Sequence, residues 1–225
     1  DSHLFSSPEG LHHGHNVFEN LKKVLFSLCD NSDVDVIVFT GDLTQDHTEK
    51  SYQNFVDCVH ECGVTVPIYY LAGNHDEPEL LNKYFAGSPF LANKEISFPH
   101  WQVQLVDSKS ETPAGYVSQQ ALVQLKTVID PSKHQLLMMH HHPIDVGYFI
   151  DKHGLQNKAD FWHAINEYSN IKAIACGHVH GAMQFRSAPN KQLDGLVKKV
   201  LTSKSAKVPE TITLYTCPAT SIQFD

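Results

Sequence analysis

Apolar positions along the chain change spacing repeatedly, and the changes mark a series of alternating elements. Val17, Phe18, Leu21, Val24, Leu25 and Leu28 recur at helical spacing after Asn16, whose side chain suits an N-cap, so a helix is predicted over 16–30. The run DVIVFT (35–40) is apolar and β-branched and ends at Gly41, which reads as a strand. The same unit recurs as a helix around 48–62 stopped by Gly63 and a strand PIYYLA (67–72) stopped by Gly73. EISF and WQVQLVDS suggest an antiparallel hairpin across 95–108, and a helix is predicted over 119–127 after Ser118, with Pro131 beyond it. HQLLMM (134–139) and IKAIAC (171–176) are two further buried-type strands, and TITLYT (211–216) and SIQF (221–224) read as short closing strands. This alternation defines an α/β fold.

Residues 187–210 break the pattern. They are polar and carry Lys191, Lys198, Lys199, Lys204 and Lys207, five of the 17 basic residues of the chain, and read as a solvated insertion within a single domain spanning 1–225. The segment is also a candidate for homodimer contacts.

Composition narrows the function. With 225 residues and 41% hydrophobic content the chain can bury a substantial core. A formal charge of -8 argues against a general nucleic-acid or anionic-membrane surface, and no apolar run is long enough to span a bilayer. Five cysteines without paired CxxC spacing fit a reducing compartment, so the expected location is the cytoplasm. Arg186 is the only arginine, yet there are 16 histidines. A site that handled phosphate would therefore need positive charge from elsewhere, and imidazole is the commonest metal ligand.

Four predicted strands end in metal-type side chains: GDLTQD (41–46), GNHDE (73–77), HHHP (140–143) and GHVH (177–180), with DSH (1–3) as a fifth such element. Loops beyond the carboxyl ends of strands are where α/β sites assemble. Any one of these is an ordinary turn; their conjunction is hard to explain as turns and caps. Carboxylate, amide and imidazole donors without thiolates suit iron, manganese or zinc.

The order DxH, GD, GNHD, HH and GHxH resembles the calcineurin-like metallophosphoesterase superfamily over Asp1 to His180, although the apolar strand the family carries before DxH has no counterpart here. HHHP followed by DKHGLQN (151–157), and the ending CPATSIQF (217–224), resemble the bacterial class III cyclic-nucleotide phosphodiesterases. The resemblance implies a four-layer α/β/β/α sandwich of two facing mixed sheets and a pair of metal ions, iron or manganese first and zinc second. It implies Asp1, His3, Asp42 and His180 around one ion, and Asp42, Asn74, His141 and His178 around the other, with Asp42 bridging. His141 is assigned because the family's ligand stands two residues before the proline; strand alternation points 140 and 141 to opposite sides, and His140 is the alternative. His75 matches the family's general acid, Asn74 an additional phosphate contact, and His153 and Asn157 fall in the substrate-side loop. Asp76 is either an orienting group for His75 or a helix N-cap, and His12, His13 and His15 read as solvated loop residues.

The activity this implies is hydrolysis of 3′,5′-cyclic AMP, or a related cyclic nucleotide, to the 5′-monophosphate by in-line attack of a metal-bridging hydroxide. Such a site binds a small nucleotide and neither nucleic acid nor membrane. The alternatives are another small diester such as a glycerophosphodiester, or a metal-free scaffold on the same fold. Two branches are disfavoured: GDLTQD lacks the arginine of the protein-phosphatase pattern GDxVDRG and the tyrosine ligand of purple acid phosphatases.

Overall fold

The computed structural model describes residues 1–31, 33–186 and 212–224. The Lys-rich insertion lies outside the described residues.

A small hairpin, β1 (Leu11–His12) and β2 (His15–Asn16), leads into α1 (Val17–Cys29). Asn16 caps α1 by accepting from the Glu19 N–H, and Thr48 and Ser118 do the same for α2 (Glu49–Glu61) and α4 (Gln119–Val128). The strands β3 (Ile37–Phe39), β4 (Ile68–Tyr70) and β5 (Phe90–Leu91) form a parallel three-stranded sheet, with α3 (Pro78–Tyr84) between the last two. A mixed six-stranded sheet runs in the order β10, β11, β9, β8, β7, β6. Its members are β6 (Glu95–Ser97), β7 (Trp101–Val106), β8 (His134–Met139), β9 (Ile171–Cys176), β10 (Met183–Arg186) and β11 (Thr213–Thr216). α5 (Lys158–Ile165) precedes β9.

The pleat sorts side chains into layers. Ile37, Phe39, Ile68 and Tyr70 join α1 and α2 in one core, through Leu21, Leu25, Tyr52 and Phe55. The alternate residues Val36, Val38, Tyr69 and Leu71 pack instead with Ile96, Val103, Leu105, Leu136 and Met138 of the second sheet. On the far side Leu137, Met139, Ile171 and Ile174 meet Leu122, Leu125, Phe161 and Trp162 of α4 and α5. The result is the α/β/β/α sandwich that the resemblance implies, with an apolar core between the two sheets as well as one beneath the helices on each side. Among the described residues no helix is long and apolar enough to cross a membrane.

The antiparallel hairpin expected across 95–108 forms as β6–β7, and β7 then runs parallel to β8. Other elements differ from expectation. SIQF forms no strand; Phe224 donates its N–H to the His180 carbonyl, and the Ile222 carbonyl accepts from the His180 ring. The hairpin at 11–16 and helix α5 have no counterpart among the elements predicted from spacing, because the first is only two residues per strand and the second only eight residues long.

Candidate metal centre

Four of the five motif segments line a cleft of about 1060 Å³, through His3, Asp42, Asn74, His75, His178 and His180, and His140 of the fifth reaches Asn74 and His178 from the buried side. Folding the chain this tightly strains the backbone. His3, Asp42, His178 and His180 all have positive φ, at 51°, 51°, 66° and 54°. Each such non-glycine residue costs on the order of 1–3 kcal/mol, and clusters of them mark sites the surrounding structure holds in place. Gly73 is required by approach: a Cβ there would lie 2.1 Å from Asp42 Oδ1.

Backbone carbonyls and amides fix the histidine tautomers. His180 Nδ1 donates to the Ile222 carbonyl at 2.9 Å, and His3 Nδ1 donates to Gln45 Oε1 at 2.6 Å. Both rings therefore present an unprotonated Nε2, and these two atoms lie 3.1 Å apart. His140 Nδ1 donates to the Thr40 carbonyl at 2.8 Å. Its bare Nε2 then faces Asn74 Oδ1 at 3.2 Å, His178 Nδ1 at 3.1 Å and Asp42 Oδ2 at 3.4 Å. Asp42 Oδ2 also lies 3.6 Å from His3 Nε2, and Asp1 Oδ1 lies 3.6 Å from His180 Nε2. Lone pairs facing lone pairs in a buried place repel unless a cation sits among them, so this donor set fits metal ions. Asp1, His3 and His180, and separately His140, His141 and His178, offer ligand atoms within 4.8 Å of one another.

His141 and His140 are used differently. His141 Nδ1 lies 2.9 Å from Ser108 Oγ and its Nε2 3.3 Å from the Pro113 carbonyl, so both ring nitrogens have hydrogen-bond partners of their own, although one also lies within 4.8 Å of the ligand atoms of His140 and His178. His142 is buried too, with Nε2 3.2 Å from Asp151 Oδ1.

The remaining residues singled out from sequence fall in three places. His75 borders the cleft, donates its N–H to Asp42 Oδ1 at 2.8 Å, and has its ring 5.2 Å from that of His3. His153 also lines the cleft. Asn157 does not: its Oδ1 accepts from the Val117 N–H and its Nδ2 donates to the Val117 carbonyl, which uses the amide as a clamp between α5 and the chain before α4. Asp76 caps no helix, since Glu77 stands at the N-cap of α3; its buried carboxylate braces the GDLT and GNHD loops instead. His12, expected in solvent, lines the cleft with its ring 4.8 Å from His3, and His47 lines it while pairing with Glu77 at 3.0 Å. Gln45 lies within GDLTQD, but no sequence pattern marks a group that orients a ligand. Cys176 is a buried core side chain, as its place in a strand suggested.

Burial dominates the electrostatics. It holds His3, His141 and His178 well below the ordinary imidazole range, His142 at about 4 and His180 at about 3. For Asp42 burial acts upward, but His140, His3 and His75 outweigh it and keep the carboxyl well below its usual range. The histidine shifts predict a pH effect on chelator-treated protein. The unfolded chain takes up protons as pH falls through 6.5, whereas folded His142 waits until about 4 and His180 until about 3. More protons are bound by the unfolded state across that window, so stability declines as pH drops from 6.5 toward 4. Thermal midpoints measured across this range should fall; a flat or rising series would contradict the burial of neutral rings.

Fold and site together define a metal-dependent phosphoesterase scaffold, and the sequence profile of the Calcineurin-like phosphoesterase family matches residues 1–182. The chain belongs to that family. It is 70% identical over 225 residues to the probable cyclic nucleotide phosphodiesterase of Colwellia psychrerythraea, covering 100% of this chain and 80% of the relative. It is 31% identical over 189 residues to the 3′,5′-cyclic adenosine monophosphate phosphodiesterase CpdA of Vibrio vulnificus, covering 81% and 68% of the two chains. A dimetal phosphatase from Danio rerio shares the fold with a TM-score of 0.67 at 14% identity, over 98% of this chain and 86% of the other.

Proposed function

We propose that this chain is a phosphodiesterase that opens the 3′,5′ ring of a cyclic nucleotide, cyclic AMP first among them, to give the 5′-monophosphate. The observation that carries the reading is the convergence of unprotonated ring nitrogens with Asp42 and Asn74 in one buried cluster. The names of the similar proteins from Colwellia and Vibrio support the substrate class.

Asp1, His3, Asp42 and His180 would hold one metal ion, and Asp42, Asn74, His140 and His178 the other. His140 replaces His141 in this assignment because its Nε2 faces Asn74, Asp42 and His178. When bound, a metal pair neutralises phosphoryl charge and lowers the pKa of water. That role suits a cleft in which lysines are the only permanent cations among its lining residues. Asn74, on the same strand-end loop as His75, would contact a phosphoryl oxygen. In the reaction a water oxygen bonds to phosphorus as the P–O3′ bond breaks, and the departing O3′ needs a proton. His75 would give it, a contribution typically of about 10²- to 10⁴-fold.

The test is a steady-state comparison of cyclic AMP, cyclic GMP, glycerophosphocholine and bis(p-nitrophenyl) phosphate with protein loaded with manganese, iron or zinc. Cyclic AMP should give the highest kcat/KM and 5′-AMP as product. Turnover of the glycerophosphodiester with cyclic AMP inert would move the assignment to the other diesters, and absence of hydrolysis with every metal would overturn it.

A further inference from the structure

The metal cluster accounts for the phosphate of a nucleotide and leaves open where its base goes. Two walls of the cleft flank the cluster, and they differ in chemistry. On one side Lys94 stands 5.6 Å above the Tyr70 ring, donates to the Tyr70 carbonyl and pairs with Asp107 at 3.2 Å. Lys109 donates to the Asn74 carbonyl, and Glu77 and Glu111 add carboxylates to the lining. A neutral heterocycle placed there would displace water from charged groups without repaying their hydration.

The other wall is made by Ile150, His153 and Phe224. The Phe224 ring lies flat on His180, with centroids 4.2 Å apart and planes within 3°, so this apolar surface begins one ring away from a candidate metal ligand. Phe149 packs on Phe224 at 5.2 Å and is 60% exposed, which extends the surface outward as an uncovered aromatic. Ile150 and Phe224 are backed by Val146, Val179 and Met183, so the wall is a packed face of the protein. Large exposed apolar groups next to a site are informative where scattered ones are not.

We infer that the purine base of the substrate docks on the Ile150–His153–Phe224 wall, with Phe149 and Phe224 supplying the stacking surface and His153 the polar group at the base edge. This rests on the cyclic-nucleotide reading above. Aromatic faces accept any base and add affinity, so the preference among bases falls to His153.

The experiment compares 3′,5′-cyclic AMP with the 3′,5′-cyclic phosphate of 1-deoxyribose, which has the same ring ester and no base. Manganese-loaded wild-type protein should favour cyclic AMP in kcat/KM, mainly through KM. Phe224→Leu and Phe149→Ala should each reduce that preference by about 5-fold or more, the scale of one lost base–aromatic stack. His153→Ala should narrow the ratio between cyclic AMP and cyclic GMP. Phe149 is mostly exposed, so its variant reads the subsite without disturbing the core. An unchanged preference in both phenylalanine variants would overturn the inference. So would equal losses on the two substrates, which would make Phe224 a support for His180 alone. Wild-type protein that hydrolyses neither ester would instead refute the phosphodiesterase reading itself.

Discussion

Replacing Asp42 by asparagine or alanine is expected to lower kcat/KM of the manganese-loaded protein by at least about 10²- to 10³-fold for every diester it hydrolyses, the scale of losing one preorganised charge stabiliser. Asp42 touches both clusters, with Oδ2 3.6 Å from His3 Nε2 and 3.4 Å from His140 Nε2. Asparagine keeps the shape and the acceptor for the His75 N–H but removes the charge that would bridge two cations. The bound-metal content should fall along with turnover. His140→Ala should behave like Asp42→Asn, while His141→Ala should keep metal and lose mainly stability, because it would remove the ring partner of Ser108 Oγ, which retains only the residue 141 N–H, and leave a buried void. Elemental analysis and kinetics on variants whose far-UV spectra match the wild type would check this. Activity within tenfold of wild type in Asp42→Asn would defeat the bridging role. A reversal of the two histidine variants would return the ligand assignment to His141.

The comparison between His140 and His141 shows what the sequence could carry. The strand-end motifs are local, so Asp42, Asn74, His178 and His180 could be picked from runs of four to six residues, and the structure gathers them in one cleft. The choice between adjacent histidines depends on which face of β8 meets the other sheet and on the Thr40 carbonyl, a backbone atom 100 residues away with no sequence signature. The same limit explains Asn157, whose amide is consumed by the Val117 backbone 40 residues away. It also explains His12, carried into the cleft by a hairpin too short for periodicity to reveal. The layered architecture came from the family resemblance, and the strand pattern agrees with it. Alternating residues of β3, β4 and β8 are apolar on both faces, which only a strand covered on both sides requires. SIQF was misread because an apolar alternation of four residues satisfies strand spacing, whereas here its carbonyl and ring hold His180.

Asp76→Ala is expected to cost roughly 3 to 5 kcal/mol of stability although Asp76 is not among the metal ligands. The carboxylate is fully buried and accepts from Leu43 N–H at 3.0 Å, Thr44 N–H at 3.2 Å and Gly73 N–H at 2.9 Å. It thus ties the loop that presents Asp42 to the loop that presents Asn74 and His75. Alanine would leave three buried donors without an acceptor in a space closed to water, and for a chain of this size the thermal midpoint should drop by about 6 to 20 °C. Asp76→Asn keeps one acceptor oxygen and should lose less. The carboxyl is pushed above its usual range by burial and by the charge of Asp42, against the pull of the three amides. Cations bound at Asp42 would relieve that repulsion, so manganese should raise the midpoint of wild-type protein more than that of Asp76→Ala. The surviving folded fraction of the variant should bind metal about 10- to 100-fold more weakly, the usual effect of losing a group that orients ligands. Saturating manganese should then recover part of kcat, whereas it should recover none in Asp42→Asn. Calorimetry with and without manganese on the three proteins separates these effects. An Asp76→Ala midpoint within 3 °C of wild type would show that the loops hold their shape without the brace.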